Sequence, residues 1–212
     1  MIIPEGTTTI GDKAFAGRND LQRFVVPDGV TVIGHEAFAH CENLTEVVLP
    51  DSLVSIGERA FLNDTALERI VLPPGLEYVA ASLFEGCVSL ESVELPETIR
   101  HIDRMAFAKC YHLRKINLPA GLERIAERAF LGCLRLPSIH LPESIRSIGD
   151  MAFKSCETLE SLKLPECLDM LGAWAFDGCA RIDSVTLPAR LESLGDSAFL
   201  RCANLQSIRV RS

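Results

Sequence analysis

Phenylalanine recurs along this chain with a fixed spacing of 23 residues. A fixed period of about 20 to 50 residues is the sequence signature of a repeat solenoid, in which each unit stacks on its neighbours. The period therefore determines the architecture before any local motif is considered. Only Phe24, of ten phenylalanines, lies off the spacing. The nine regular positions are Phe15, Phe38, Phe61, Phe84, Phe107, Phe130, Phe153, Phe176 and Phe199.

Proline, cysteine and leucine follow the same period. We call a set of equivalent positions in successive repeats a column. The proline column is complete from Pro4 to Pro188, and the cysteine column has Arg18 and Asp64 in two of its nine places. The unit is A-F-x-x-C-x-x-L-x-x-I-x-L-P-x-x-L-x-x-I-G-x-x, and nine copies fill the chain without an insertion. We therefore expect residues 1–212 to form one repeat array without an internal linker.

The two ends of the array lack the polar capping repeats that a solenoid normally needs. Residues 1–4 enter the unit at the end of its strand, and residues 209–212 leave it at the same place. We therefore interpret the sequence as a segment of a longer protein, with any targeting signal outside it. No apolar run approaches the ~18 residues of a membrane helix, so we expect no membrane insertion of this segment.

The charge balance bears on the class of partner. The net charge is −8 and the isoelectric point is near 5.2. A protein that binds a nucleic-acid backbone needs a basic stripe, so we expect no nucleic-acid partner. Mild acidity is otherwise the usual surface of a soluble protein and identifies no function.

Residues 44–57 show how one unit is expected to fold. Leu44, Val47 and Leu49 have the L-x-x-L-x-L spacing of a short strand in a stacked repeat. Pro50 has no amide hydrogen to give to a neighbouring strand, so it ends the strand. The strands of successive units then form one parallel sheet, with neighbours ~4.8 Å apart.

The second half of the unit is predicted to be a short helical turn. In residues 58–63 and their equivalents, acidic residues often open the segment and basic residues often close it, which matches a helix dipole. Ala60 and Phe61 are expected to face inward. No unit can bury its apolar side chains alone, so stacking supplies the core.

The residues of one unit carry a family resemblance. The string SIGDMAFKSCETLESLKLP, at 147–165, resembles the BspA-like, or treponemal-type, leucine-rich repeats, and the likeness covers the whole chain. It implies an α/β repeat solenoid: a right-handed leucine-rich-repeat superhelix of about nine 23-residue repeats. One parallel β-sheet face is expected, with short helical or 3-10 turns opposite.

The same resemblance implies an interaction surface and no chemistry. Many members are cell-surface or secreted proteins of bacteria, and some are adhesins that bind host matrix proteins or other cells. The family has no shared catalytic residues, so we predict no enzyme, no cofactor and no metal.

The cysteine column has a structural and a functional interpretation. A spacing of 23 does not resemble a zinc motif such as C-x-x-C. Stacked cysteines could lie close enough for disulfides, but identical columns point their Cβ atoms in parallel rather than at each other. We favour a buried, reduced column, because free cysteine is often fully buried. Cys167 lies outside the column, in a small-residue position where a partly exposed thiol is the alternative to packing.

The outward face of the sheet has two variable columns. One becomes serine-rich towards the C-terminus, and the other begins with Val25, Val48 and Val71 and then becomes polar. Valine suits any strand, so the valines need no partner. The polar part is weakly basic and would favour an acidic protein or a glycan, although an ordinary solvated sheet is the alternative. The predicted partner-binding residues, here called the polar strip, are Glu94, Lys115, Asn117, His140, Lys163, Thr186 and Arg209.

Two functions follow from these observations. The first is a non-enzymatic protein-interaction solenoid, as in the repeat region of a bacterial adhesin that binds a host matrix or cell-surface protein, or a glycan, through its sheet face. The second is a structural spacer or self-associating scaffold, in which uncapped ends stack end to end.

Overall fold

The chain folds as a parallel β-solenoid of about nine turns, described by a computed structural model over residues 3–211. Each strand pairs in parallel with the strand one repeat away, and paired residues such as Arg23 and Glu46 differ by 23 in number. The strands are β1 Thr9–Ile10, β2 Arg23–Val25, β3 Val32–Ile33, β4 Glu46–Val48, β5 Ser55–Ile56, β6 Arg69–Val71, β7 Tyr78–Val79, β8 Ser92–Glu94, β9 His101–Ile102, β10 Lys115–Ile116, β11 Arg124–Ile125, β12 Ser147–Ile148, β13 Met170–Leu171, β14 Ser184–Leu187, β15 Ser193–Leu194 and β16 Ser207–Val210.

The strands form two ladders. The main sheet face consists of β2, β4, β6, β8 and β10, followed further along by the pair β14 and β16. The second ladder contains the two-residue strands, with β1, β3 and β5 in one sheet and β7, β9, β11, β12, β13 and β15 in another. The sequence predicts only the main sheet. The second ladder forms where the L-x-x-I segment of each unit returns across the core and stacks on its equivalents.

The main sheet face is interrupted between β10 and β14. In this part of the described chain, a single bridge between Ser138 and Ser161 replaces the strand pairs. The amide of Arg114 donates to the carbonyl of Glu91 in the preceding repeat. One repeat later, the residue that would donate in the same way to the carbonyl of Arg114 is Pro137. Proline has no N–H to donate, so the ladder loses a bond at this repeat.

The predicted helical turns are wrong: residues 3–211 contain no helix. Each turn instead has two residues with positive φ, four positions apart, as at Glu36 (53°) and His40 (63°). The amide of Phe38 donates to Ala60 in the next repeat at 2.8 Å, whereas the amide of Ala39 donates back to Glu36 at 3.0 Å. Alternate amides of the turn therefore donate their hydrogen bonds to carbonyls of the next repeat. A helix, whose amides all bond internally, cannot do this.

The phenylalanine column is the centre of the core. Rings from Phe38 to Phe199 stack with centroids 5.0–5.7 Å apart and interplanar angles of 4–14°. The rings from Phe38 to Phe176 are fully buried. Phe24, the ring outside the period, packs edge-on against Phe38 at 4.9 Å and also contacts Phe15. It thus fills the core beside the first repeat, in the column that Val47 occupies in the next.

The cysteine column consists of free thiols that donate to backbone carbonyls. Each Sγ lies 3.0–3.3 Å from the carbonyl oxygen of the phenylalanine 26 residues earlier, as from Cys87 to Phe61. Burial raises the pKa of the inner thiols well above their usual value, as at Cys110. All eight cysteines are free, and Cys167 and Cys202 are the two that are partly exposed. This arrangement agrees with the favoured interpretation of a reduced, structural column.

Glycine in the corner column allows close approach of two repeats. A Cβ at Gly149 would lie 2.6 Å from the amide nitrogen of Glu127 and 2.8 Å from the carbonyl carbon of Ala126. Such distances are well inside van der Waals contact, so a side chain there forces the backbones apart. The first corner glycine, Gly11, has nothing within 4 Å of the equivalent position.

We predict that Phe107→Ala lowers the free energy of unfolding by about 3–5 kcal/mol, through lost burial and a cavity between Phe84 and Phe130. Phe199→Ala is the control, because Phe199 is partly exposed and stacks on Phe176 alone among the described rings. Urea denaturation followed by circular dichroism measures both. Equal losses in the two variants would contradict the layered-core description.

A second prediction concerns the corner. Gly149→Ala should cost about 1–3 kcal/mol, because the added methyl group overlaps the backbone of the preceding repeat. Gly11→Ala makes the same chemical change in open space and should be close to neutral. Thermal unfolding of the two variants gives the comparison, and a neutral Gly149→Ala would show that the corner has room to adjust.

Candidate interaction surface

All seven residues of the polar strip lie on the main sheet face with exposed side chains. Thr186 and Arg209 are paired in register on β14 and β16. Lys115 lies on β10, opposite Ser92. Adjacent strands are about 4.8 Å apart, so the strip extends for roughly 24 Å from Glu94 to Arg209. The structure therefore places these residues along one surface, and their role in binding stays a prediction.

Two strip residues, His140 and Lys163, line one shallow depression of about 390 Å³. It lies where the main sheet face is interrupted, and serines form much of its lining because that column is serine-rich here. Short side chains leave His140 and Lys163 standing above their surroundings. The depression is lined by Ser138, Ile139, His140, Ser161, Leu162, Lys163, Asp183 and Ser184.

The charges around this depression are of both signs. Lys163 Nζ lies 3.3 Å from Glu143 Oε1, and Arg181 lies 2.6 Å from Glu160. All four side chains are more than half exposed, so these pairs contribute little stability and can exchange partners readily. Lys115 and Arg209 belong to none of the ion pairs found within residues 3–211. The strip thus offers cations that are loosely paired or unpaired.

The rest of the strip is more scattered. Glu94 and Asn117 lie on the N-terminal side of the interruption and do not line the depression with His140. Glu94 and Lys115 form no ion pair with each other in the described part of the chain. The strip is therefore a row of exposed side chains with one concave centre, rather than a single cluster.

A second depression lies on the same face, beside Val48 and Val71 of the valine column. It has a volume of about 270 Å³ and is lined chiefly by residues 46–49 and 69–74. Val25, Val48 and Val71 are 50%, 38% and 58% exposed, which is high for a row of apolar side chains. Strand propensity explains the valines but not the concavity. Pro73 and Pro74 are part of its lining.

An ion cluster around a buried carboxylate lies on the turn side, and the sequence analysis does not predict it. The carboxylate of Asp177 is 1% exposed and accepts two hydrogen bonds from Arg201, at 2.8 and 2.6 Å. Lys154 Nζ approaches it at 3.2 Å. The guanidinium of Arg201 is the main cause that lowers the pKa of Asp177, followed by the ammonium of Lys154. The three residues come from successive repeats, so the cluster joins those repeats, and its two cations and one carboxylate leave a net positive charge.

Within residues 3–211, no three His, Cys, Asp or Glu side chains are placed to hold one metal ion. The same residues contain no helix long and apolar enough to cross a membrane.

Comparison with known proteins gives consistent matches to one kind of repeat. The model of the BspA type leucine-rich repeat region matches residues 1–114 and 101–212, with six copies. The crystal structure of the leucine-rich repeat protein TpLRR of T. pallidum is 31% identical, with a TM-score of 0.68. That match covers 84% of this chain and 74% of TpLRR. No curated protein sequence matches.

Two further solved structures have the same fold. A leucine-rich repeat protein from Bacteroides ovatus is 26% identical over 97% of this chain and 71% of its own, with a TM-score of 0.53. The pneumococcal vaccine antigen PcpA is 18% identical over 99% of this chain and 73% of its own, with a TM-score of 0.55, and shows the fold alone.

The family model covers the whole chain, and the period, the A-F-x-x-C motif and the stacked parallel strands all agree with it. The chain therefore belongs to the BspA-type leucine-rich repeat family.

Proposed function

We propose that this chain is a protein-interaction module that binds an acidic protein segment or an acidic glycan through the main sheet face. The observation that carries the proposal is the exposed row from Lys115 to Arg209 around the depression at His140 and Lys163. Repeats of this family build protein-interaction scaffolds, which gives the general class. The choice of face and the choice of partner are the parts that need testing.

The charge of the row supports the choice of partner. Its three basic members are Lys115, Lys163 and Arg209, against Glu94 alone among acidic members. The chain as a whole has a net charge of −8, so a locally basic row is a departure from the average surface. Opposite charges steer a partner to the right place and orient it, which is what such a row contributes.

The shallow relief of the site fits a macromolecule better than a small ligand. The depression is open, and the row extends for roughly 24 Å, the length of about seven residues of extended peptide. The family supports a non-enzymatic role, since its repeats generally serve as scaffolds.

The location that best suits this role is the cell surface or the outside of the cell. The support is the BspA-type family, which suggests a surface protein. A host matrix protein or another cell-surface protein would then be the natural partner.

The charge-reversal pair Lys163→Glu and Arg209→Glu tests the strip. We expect this double variant to bind immobilised poly-L-glutamate and heparin at least ten-fold more weakly than the wild type in biolayer interferometry, with the loss greatest at low salt. The residues are exposed, so folding should be unaffected.

The matched control is Arg104→Glu with Arg124→Glu, which makes the same change in total charge away from the main sheet face. It should leave binding close to the wild type. If both double variants lose binding equally, the effect is due to net charge and the strip is not a site. If neither probe binds the wild type, the acidic-partner proposal is wrong.

End-to-end self-association is the second candidate, and apolar side chains in the outermost repeats favour it. Leu194, Leu200 and Ile208 are each about half exposed, and at the other end Ile3 and Phe15 line an apolar groove. Stacking would bury both sets and continue the phenylalanine column.

Sedimentation velocity separates the two candidates. Stacking predicts that the weight-average sedimentation coefficient of the 212-residue chain rises with concentration, and that Leu200→Glu abolishes the rise. A constant monomer value from dilute to concentrated solution contradicts stacking and leaves the sheet-face proposal unaffected.

A further inference from the structure

Asp64 is the one acidic residue in the cysteine column. Its side chain is 0% exposed, the same as the thiols above and below it. Its Oδ1 accepts a hydrogen bond from the amide of Cys41 at 2.9 Å. Its Oδ2 is buried and has no hydrogen-bond partner. A buried carboxylate oxygen without a partner is costly, so the protonation state of this group has structural consequences.

The thiols show what the column normally does. The carbonyl of Phe61 accepts two hydrogen bonds, from the amide of Asp64 at 3.3 Å and from the thiol of Cys87 at 3.0 Å. By the same register, the carbonyl of Phe38 accepts the amide of Cys41 at 3.2 Å, and its second donor would be a thiol at position 64. Asp64 stands there instead. The Phe38 carbonyl therefore lacks the donor that every equivalent carbonyl from Phe61 to Phe176 receives.

The two oxygens compete for one donor. The amide of Cys41 bonds both to the Phe38 carbonyl and to Asp64 Oδ1, so these acceptors face each other across a single N–H. An ionised carboxylate would add a charge to two opposed acceptors in a dry core. A neutral carboxylic acid has an O–H to donate and removes the conflict, as the thiol does in the other repeats.

Among residues 3–211, the groups around Asp64 give it no counter-ion. The residues that flank it in the column are the thiols Cys41 and Cys87, which are themselves buried. The next cation in the column is Arg18, beyond Cys41, and it is bound to Asp20 at 2.7 Å through two nitrogens. Burial raises the pKa of Asp64 from 3.8 to about 8, and the hydrogen bond from Cys41 lowers it only in part.

We propose that Asp64 is a neutral carboxylic acid in the folded protein, that it donates its proton to the Phe38 carbonyl in place of the missing thiol, and that loss of this proton loosens the junction between the repeats of Phe38 and Phe61. The core thus contains one pH-sensitive junction. It lies at a defined place in an array whose other junctions in this column are closed by thiols.

The effect of pH on stability has a definite sign. The folded pKa lies above the unfolded one, so the folded protein holds a proton that the unfolded chain has released. The stabilisation is complete below about pH 4, falls as pH rises, and is lost near pH 8. Because unfolding releases one proton in this range, the unfolding constant rises about ten-fold for each pH unit.

The test compares the wild type with Asp64→Cys, which restores the column, and with Asp64→Asn, a neutral near-isostere. Urea denaturation is measured in reducing buffer at pH 5, 6, 7 and 8. The unfolding constant of the wild type should rise by up to about 100-fold relative to Asp64→Cys between pH 5 and pH 7. Asp64→Asn should follow Asp64→Cys. Parallel profiles for all three proteins would overturn the proposal.

Two direct readouts keep the test decisive if a variant folds poorly. The side-chain carboxyl ¹³C shift of Asp64 in the wild type should titrate near pH 8, and a midpoint below pH 5 would overturn the proposal. Hydrogen exchange of the Cys41 amide, corrected for intrinsic base catalysis, should accelerate with pH more than that of the Cys133 amide. Equal behaviour of the two amides would show that no special junction exists.

Discussion

The fold depends on one constraint: each backbone segment must bond to the same segment one repeat away. The ladders, the alternating amides of the turns and the thiol-to-carbonyl bonds all join residues whose numbers differ by about one repeat. Bonds within a repeat, such as that from the amide of Ala39 to the carbonyl of Glu36, shape the turns between these ladders. An insertion of one residue would break several of these ladders at once, which explains why nine copies follow each other without a slip.

The sequence predicts the parts of the structure that depend on repetition. Identical residues at a fixed period must stack, so the buried phenylalanine column, the thiol column and the parallel strands follow from the spacing alone. The turns were predicted wrongly as helical because a dipole-like charge pattern is also compatible with a chain of turns. Residues such as Glu36 and His40 take positive φ because their amides are needed by the next repeat, and residue type does not reveal that demand.

The candidate site is less predictable because it depends on departures from the repeat. Exposure of Lys163 and Arg209 follows from strand alternation. The depression beside His140 does not, since it arises where Pro137 withholds one amide and the ladder opens. The concavity beside Val48 and Val71 is not predictable for a related reason: a column of valines is compatible with a flat strand and with a groove. Only coordinates distinguish the two.

The interruption at Pro137 also has a mechanical consequence. The bonds between repeats run along the long axis of the solenoid, so a pull on its two ends loads the repeat junctions in series. The junction with the fewest bonds yields first. On the main sheet face, strand pairing is missing on both sides of the Ser138–Ser161 bridge, between β10 and Ser138 and between Ser161 and β14, next to His140 and Lys163. An array of this kind, when pulled at both ends, would therefore stretch first beside the polar strip, and tension would change the shape of that surface.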